Sequence, residues 1–466
     1  MKLKKLFSII LVTALFASAF SGCIRTKFGG GGVSPSEQIT LTMYGLYDSP
    51  DIYEPLIQSY QGSNTNITIN YKKFTDSEDY LDLIINELAE GEGPDIFMMH
   101  NTWVPKHYKK LTPAPSTIVD PDVFRSLFVD IAGDELIIPN EENVEQVWGL
   151  PLYVDTLALY YNDEYIEEVL PSQGQPSSTW EGIANDVTAL NRDDQSFSRF
   201  ERAGIALGRS DNILRAFDTL AMMMLQYGVD FYNDDLTEVI FNGDPNAIAA
   251  LDLFTSFALP SQKNYSWNQY LADADSAEKE ITTFASGQVA MILGYSYIYE
   301  DIINEIQSLT AQGEDTIDIN DVKIQEVPQV FDPETTAETR EAYASYFVPV
   351  VSRTSEHSQE AWEFLATLVD EENLRYYNEE THRPSALRSL IDEQTLSPIY
   401  GVFASQVGYA ESFPMSDPEA YEEAFLNAIQ QILDTARTED VLRNLASEIQ
   451  SLITSDGIKP IYVPTD

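Results

Sequence analysis

Hydrophobic and polar positions along the chain fall into two alternating patterns. From Ile39, ITLTMYGLY reads as a strand, and Asp51 to Tyr60 repeats apolar residues at helical spacing. ITINYKKF reads as a second strand. DSEDYLDLIINELAEGEGPDIFMMH predicts a helix opened near an Asp/Ser cap, stopped at Gly-Glu-Gly-Pro and followed by a buried strand. Strand, helix, strand, helix, strand with short connections predicts a parallel-sheet α/β unit. A second such region follows Leu150: LPLYVDTLALYYN is strand-like, and PSSTWEGIANDVTAL opens a helix with Ser177, Ser178 or Thr179 available as cap. Helical stretches follow at 212–226, 245–258 and 276–286, then the strand QVAMILG. SQEAWEFLATLVDEENLRYYNEE and the run from Pro418 to Ser455 read as long amphipathic helices. No internal repeat of fixed period is present, which argues against a solenoid.

The first residues break this rhythm. Lys2, Lys4 and Lys5 precede an apolar stretch from Leu6 to Phe20, and a run of about 15 residues has the length of a signal-peptide core. A spanning helix needs roughly 20. The segment closes on Phe20-Ser21-Gly22-Cys23. Small residues directly before a cysteine resemble the bacterial lipobox, with Phe20 where that motif more often has Leu. The resemblance implies that residues 1–22 are removed and that the Cys23 thiol is lipidated, where two acyl chains give stable anchoring. Residues 23–38, with four consecutive glycines, read as a flexible tether. Everything after it is expected to be soluble and held outside the membrane.

Length and charge narrow the class further. A chain of 466 residues with 44% hydrophobic positions predicts two or three folded domains. With 75 acidic against 27 basic residues, a net charge of −48 repels phosphate backbones and anionic lipid heads. No nucleic-acid partner is therefore expected, and membrane contact only through the N-terminal lipid. The acids are spread along the whole chain, which fits a solubility adaptation. Cys23 is the only cysteine, so neither an intramolecular disulfide nor a Cys-based zinc site is possible.

Motifs of catalysis do not assemble. The four histidines, His100, His107, His357 and His382, lack the His-Glu-x-x-His spacing. No Gly-x-Ser-x-Gly elbow, P-loop or dinucleotide fingerprint is present. Carboxylate pairs are unavoidable among 75 acids and so carry no information. The expectation is a protein that is not an enzyme, with no catalytic residues, metal or cofactor.

Several stretches together resemble a known family. GEGPDIFMMHNTW, LPLYVDTLALYYN, PSSTWEGI, FASGQVAMILGYS, AWEFLATLV and EETHRPSALRSL stand in the order found in extracellular solute-binding proteins of the maltose-binding type, over nearly all of residues 39–455. The resemblance implies an α/β, two-lobe periplasmic-binding-protein-like fold of type II, with hinge strands between the lobes. Residues 39–150 plus about 350–398 are expected to form lobe 1, and 151–349 plus about 399–460 lobe 2. It also implies capture of a carbohydrate, an oligosaccharide in particular, in the interlobe cleft, and delivery to ABC permease subunits by cleft closure of a monomer.

Carried over residue by residue, the resemblance points to ligand contacts at Tyr44, at Asp48, at Asn101, Thr102 and Trp103 after the PDIFMMH strand, and at Asp155 on the crossover. Trp267 is a further candidate, as are Gly294, Tyr295 and Ser296 after QVAMIL, and Arg383 near the hinge. Relatives place a stacking Trp beside Gly294; here Tyr295 or Tyr297 must substitute. Local pattern alone leaves Tyr44, Tyr295 and Trp267 open between core and cleft, and Asp155 open between ligand contact and buried hydrogen bonding. Trp148, Trp180 and Trp362 read as core. Two other functions stay open: binding of a peptide, polyamine or phosphate ester, and hydrolysis of surface glycans. A binding module serving a sensor or adhesion partner is a third.

Overall fold

The computed structural model describes residues 38–140, 142–193, 200–333, 340–453 and 458. The expected signal peptide, Cys23 and all of the tether but Gln38 lie outside the described residues. Strand β1 (Ile39–Leu46) buries Ile39, Leu41 and Met43 on one face. Helix α1 (Pro50–Ser63) follows because Ser49 Oγ accepts from Asp51 N and Pro50 fits the first turn, where its missing N–H costs nothing. Strand β2 (Ile67–Phe74), helix α2 (Ser77–Glu90) and strand β3 (Ile96–His100) complete the expected unit, with β1 parallel to both β2 and β3. Ile96, Phe97, Met98 and Met99 are all buried, as in a strand covered on both faces. Helix α3 (Asp130–Leu136) then closes this side.

The chain leaves through β4 (Asp155–Thr156) and enters β5 (Ala158–Asn162), the central strand of a second sheet. Helix α4 (Trp180–Leu190) is capped by Thr179, whose Oγ1 accepts from Gly182 N at 3.1 Å. Helix α5 (Ala216–Gln226), strand β6 (Met291–Gly294), helix α6 (Ile298–Gln312) and strand β7 (Val322–Glu326) follow. Both β6 and β7 run antiparallel to β5, where the sequence pattern predicts a second parallel unit. A long helical excursion separates β5 from β6, and a connection of that length permits either direction of pairing, so the sequence pattern does not fix it. Helix α6 is also absent from the pattern reading.

The return runs through β8 (Ala342–Ser345) and β9 (Phe347–Val351), and β9 pairs antiparallel with β3. Helices α7 (Ser358–Leu368) and α8 (Glu371–Thr381) divide at Val369–Asp370, inside the single helix expected there. A last short strand, β10 (Ala410–Glu411), precedes α9 (Pro418–Leu433) and α10 (Thr438–Leu452).

Two hydrophobic cores result. One gathers Ile39 to Val154 and Ala344 to Leu390, with Val407 and Ala410; the other gathers Leu157 to Tyr343, with Phe403 and Phe413 to Ile458. Between them lies a three-stranded sheet in the order β10–β8–β4. Each of its strands carries the chain past the boundary between the cores, so this small sheet is the hinge.

Candidate functional site

On the lobe 1 side, side chains converge at the C-terminal ends of β1 and β3. Asp48 follows β1 and is buried. Arg383 Nη1 donates to it at 2.8 Å, Tyr377 Oη at 2.7 Å and Tyr53 Oη at 3.4 Å. The Arg383 guanidinium lies 4.4 Å over the Tyr153 ring. Two expected residues, Asp48 and Arg383, thus form one unit, ordered by tyrosines that the sequence reading did not name.

Beside this unit stands an aromatic wall. Trp103 is half-buried, with ring centroids 5.6 Å from both His100 and Phe347. Tyr47 is 43% exposed and meets Phe347 edge-on at 5.8 Å. His100 is held by Thr102 Oγ1 at 2.8 Å and by Ser345 Oγ of the hinge at 2.9 Å. Burial, helped by Arg215, lowers its pKa to about 3, so the ring is neutral at physiological pH.

Lobe 2 answers with β6 and the turn after it. Asp155 on the crossover accepts from Ser296 N at 3.1 Å, from Ser296 Oγ at 2.7 Å and from Thr156 N at 2.9 Å. Burial raises its pKa to about 6 against these bonds and the pull of Arg383. Tyr297, half-buried, accepts from Arg215 and stacks on Tyr295 at 6.1 Å. Arg215 keeps 37% of its side chain open to water although Tyr295, Tyr297, Asp218 and Glu422 surround it electrostatically.

Not every expected residue reaches this place. Trp267 is fully buried in the lobe 2 core, its Nε1 donating to Asn212 Oδ1 at 2.9 Å. Tyr295 is buried too, its hydroxyl donating to Asp218 at 2.9 Å, so of the two tyrosines Tyr297 is the accessible one. Gly294 sits at the end of β6 opposite Ala158, and a Cβ there would meet Ile298 Cγ1 at 2.8 Å. Tyr44 packs against Phe74 at 5.0 Å under the Lys72 ammonium, on the β2 side of the sheet. Asn101 turns its amide into Glu135, 3.0 Å from each carboxylate oxygen. Among the described residues no group of three or more His, Cys, Asp and Glu is placed to hold a metal.

Sequence reasoning missed Tyr47, His100, Arg215 and Phe347. Tyr47 and Phe347 had a signal, since each directly follows a strand or hinge crossing. Arg215 had none, because it opens a helix of otherwise core-like composition.

Two α/β lobes, joined by the hinge strands β4, β8 and β10 and carrying aromatic and hydrogen-bonding groups on both sides of them, define a two-lobed binding protein. The chain belongs to the bacterial extracellular solute-binding proteins, whose family model matches residues 55–398. It is similar in fold to the sugar-binding protein MalE from Xanthomonas citri (TM-score 0.70, 15% identity, 89% of this chain and 97% of that one). It is also similar to a cyclo/maltodextrin-binding protein complexed with maltotetraose (0.68, 17%, 88% and 96%). A third is an ABC transporter solute-binding protein from Thermotoga lettingae bound with α-D-tagatose (0.66, 18%, 89% and 99%). No curated protein sequence matches the chain.

Proposed function

We propose that this protein captures a carbohydrate, an oligosaccharide in particular, between its lobes and hands it unchanged to the permease of an ABC importer. The wall of Trp103, Phe347 and Tyr47 beside the Arg383–Asp48 pair of lobe 1, with Tyr297 and Arg215 on lobe 2, carries this reading. Aromatic faces suit the C–H surfaces of a sugar ring, and guanidinium and carboxylate groups suit its hydroxyls. Asp218 and Glu422 beside Arg215 offset its charge and favour a neutral ligand. The named ligands of the similar structures, maltotetraose and tagatose, support the same class. Asp155 spends its oxygens on Ser296 and Thr156 and has the role of fixing the crossover, not of a catalytic base. Lipidated Cys23 holds the monomer at the outer face of the cytoplasmic membrane, and closure of the lobes makes the form that the permease reads.

A thermal-shift and calorimetric screen tests this with maltotetraose, mannotriose, tagatose and shorter sugars. A true ligand at a hundredfold its Kd stabilises by about 2.7 kcal/mol. Stabilisation by a peptide, polyamine or phosphate ester and by no sugar would overturn the sugar assignment. Turnover of an added glycan would overturn capture without catalysis.

A further inference from the structure

Glu135 is a buried carboxylate that the ligand site does not use. Its oxygens accept from donors on three separate segments. Asn101 Nδ2, just after β3 in lobe 1, lies 3.0 Å from both oxygens. Tyr346 Oη, between hinge strand β8 and lobe 1 strand β9, donates at 2.5 Å. Ser412 Oγ, where the chain leaves hinge strand β10 for lobe 2, donates to Oε1. Asn101 Nδ2 also reaches Ser412 Oγ at 3.4 Å. Five residues further along each segment, Lys106 Nζ pairs with Asp417 Oδ2 at 3.2 Å. The same two segments, Asn101–Lys106 of lobe 1 and Ser412–Asp417 at the entrance to lobe 2, are therefore tied twice.

We propose that this contact, centred on Glu135, is a proton-sensitive latch that sets the resting angle between the lobes without touching the ligand. Rotation about the hinge strands cannot carry lobe 2 away without withdrawing Ser412, and a buried carboxylate stripped of a donor is costly. The latch therefore has two discrete conditions, made and broken, and the hinge converts them into two lobe arrangements. A depression lined by Thr102, Asp134, Glu411 and Pro414 opens beside Glu135 and Ser412, which gives water a way in once the contact parts.

Protonation enters through the surroundings. Burial raises the Glu135 pKa to about 7 against its three donors, and Glu411 on β10 adds to the rise. The other titratable groups around it are Tyr346 and Tyr343 of the β8 segment, with Asp134, next to it on its own helix, lining the same depression. Lys106 and neutral His107 lie on the turn packed against α3, and Arg125, paired with Glu145, on the preceding helix. A carboxyl that gains water when the latch opens loses its burial penalty, so the ionised form favours the open latch and the protonated form the made one.

X-ray scattering of the ligand-free mature protein at about pH 5.5 and about pH 8.5, bracketing the titration, tests the latch independently of the sugar reading. The expected result is a pH-dependent shift in the interlobe distance distribution. Glu135→Gln should lose most of this shift and keep the acidic-side distribution at both values. Ser412→Ala should give the alkaline-side distribution already at acidic pH, and it keeps the test alive if Glu135→Gln fails to fold. A wild-type distribution that does not change with pH overturns the proposal, as does a full shift retained in Glu135→Gln or a Ser412→Ala protein identical to wild type at both values.

Discussion

At the scale of single residues, the tryptophans show what sequence can and cannot separate. Trp103 and Trp267 both stand in polar stretches, NTW and YSWNQY, and nothing local distinguishes them. The difference is tertiary: Asn212, remote in sequence, accepts the Trp267 indole and closes it into the core, whereas Trp103 stays half-open against Phe347. Trp267→Ala is therefore expected to cost about 3–5 kcal/mol of stability by leaving a cavity and an unpaired Asn212. Trp103→Ala should instead weaken ligand binding by about tenfold, roughly 1.4 kcal/mol, with little change in melting temperature. Unfolding curves and calorimetric titration of both variants check the pair; equal loss of stability in the two would remove Trp103 from the site. Arg383→Gln belongs at this scale too. It strands Asp48, which is only 5% exposed, and should destabilise the fold by about 3–5 kcal/mol as well as weaken binding. Part of that pairing was legible, since Asp48 and Arg383 are both expected in the cleft, but the bond between them joins positions 48 and 383 and leaves no local trace.

Most long elements were legible, with the 15-residue helix α6 the exception. Strands β1 and β2 coincide with the hydrophobic runs ITLTMYGL and ITINYKKF, and the helices of both lobes follow apolar periodicity. The hinge strands β4, β8 and β10 span two to four residues each, too few for a period to show. Their identity comes from pairing, Ala344 with Thr156 and Ala342 with Ala410, which only the folded chain makes. The resemblance to solute-binding proteins anticipated hinge strands where periodicity was silent. Gly294 shows how an element boundary serves the site. It ends β6 so close to α6 that an added methyl would press on Ile298, the residue after Tyr297. Gly294→Ala is expected to cost about 1–3 kcal/mol by overpacking and to displace Tyr297 from Arg215. Ligand affinity should fall further than stability alone explains, and a variant with unchanged affinity would show that the turn after β6 does not hold the ligand.

For the molecule as a whole, the acid excess makes stability a function of pH with a definite sign. Burial raises Glu135 and Glu280 to about 7 and Asp155 to about 6, all above the ordinary carboxyl range. Between the unfolded and folded values the native state binds more protons than the unfolded one, so stability falls as pH rises. Each of these buried groups contributes on the order of 3 kcal/mol, present at acidic pH and lost by about pH 7. Repulsion within a chain of net charge −48 pushes in the same direction, since every carboxylate ionised adds to it. Salt separates the two causes. At about 1 M the Debye length shrinks to about 3 Å and surface repulsion is screened, while the titration of a buried carboxyl is not. Melting temperature measured from about pH 5 to about pH 8 should therefore keep a downward slope in high salt, and Glu280→Gln should reduce it. Glu280 is the apt choice because it is bonded only within lobe 2, through Leu214 N at 3.0 Å, and stands apart from the Glu135 latch. A slope that vanishes in salt would assign the whole pH dependence to surface charge and return these buried acids to the ordinary carboxyl range.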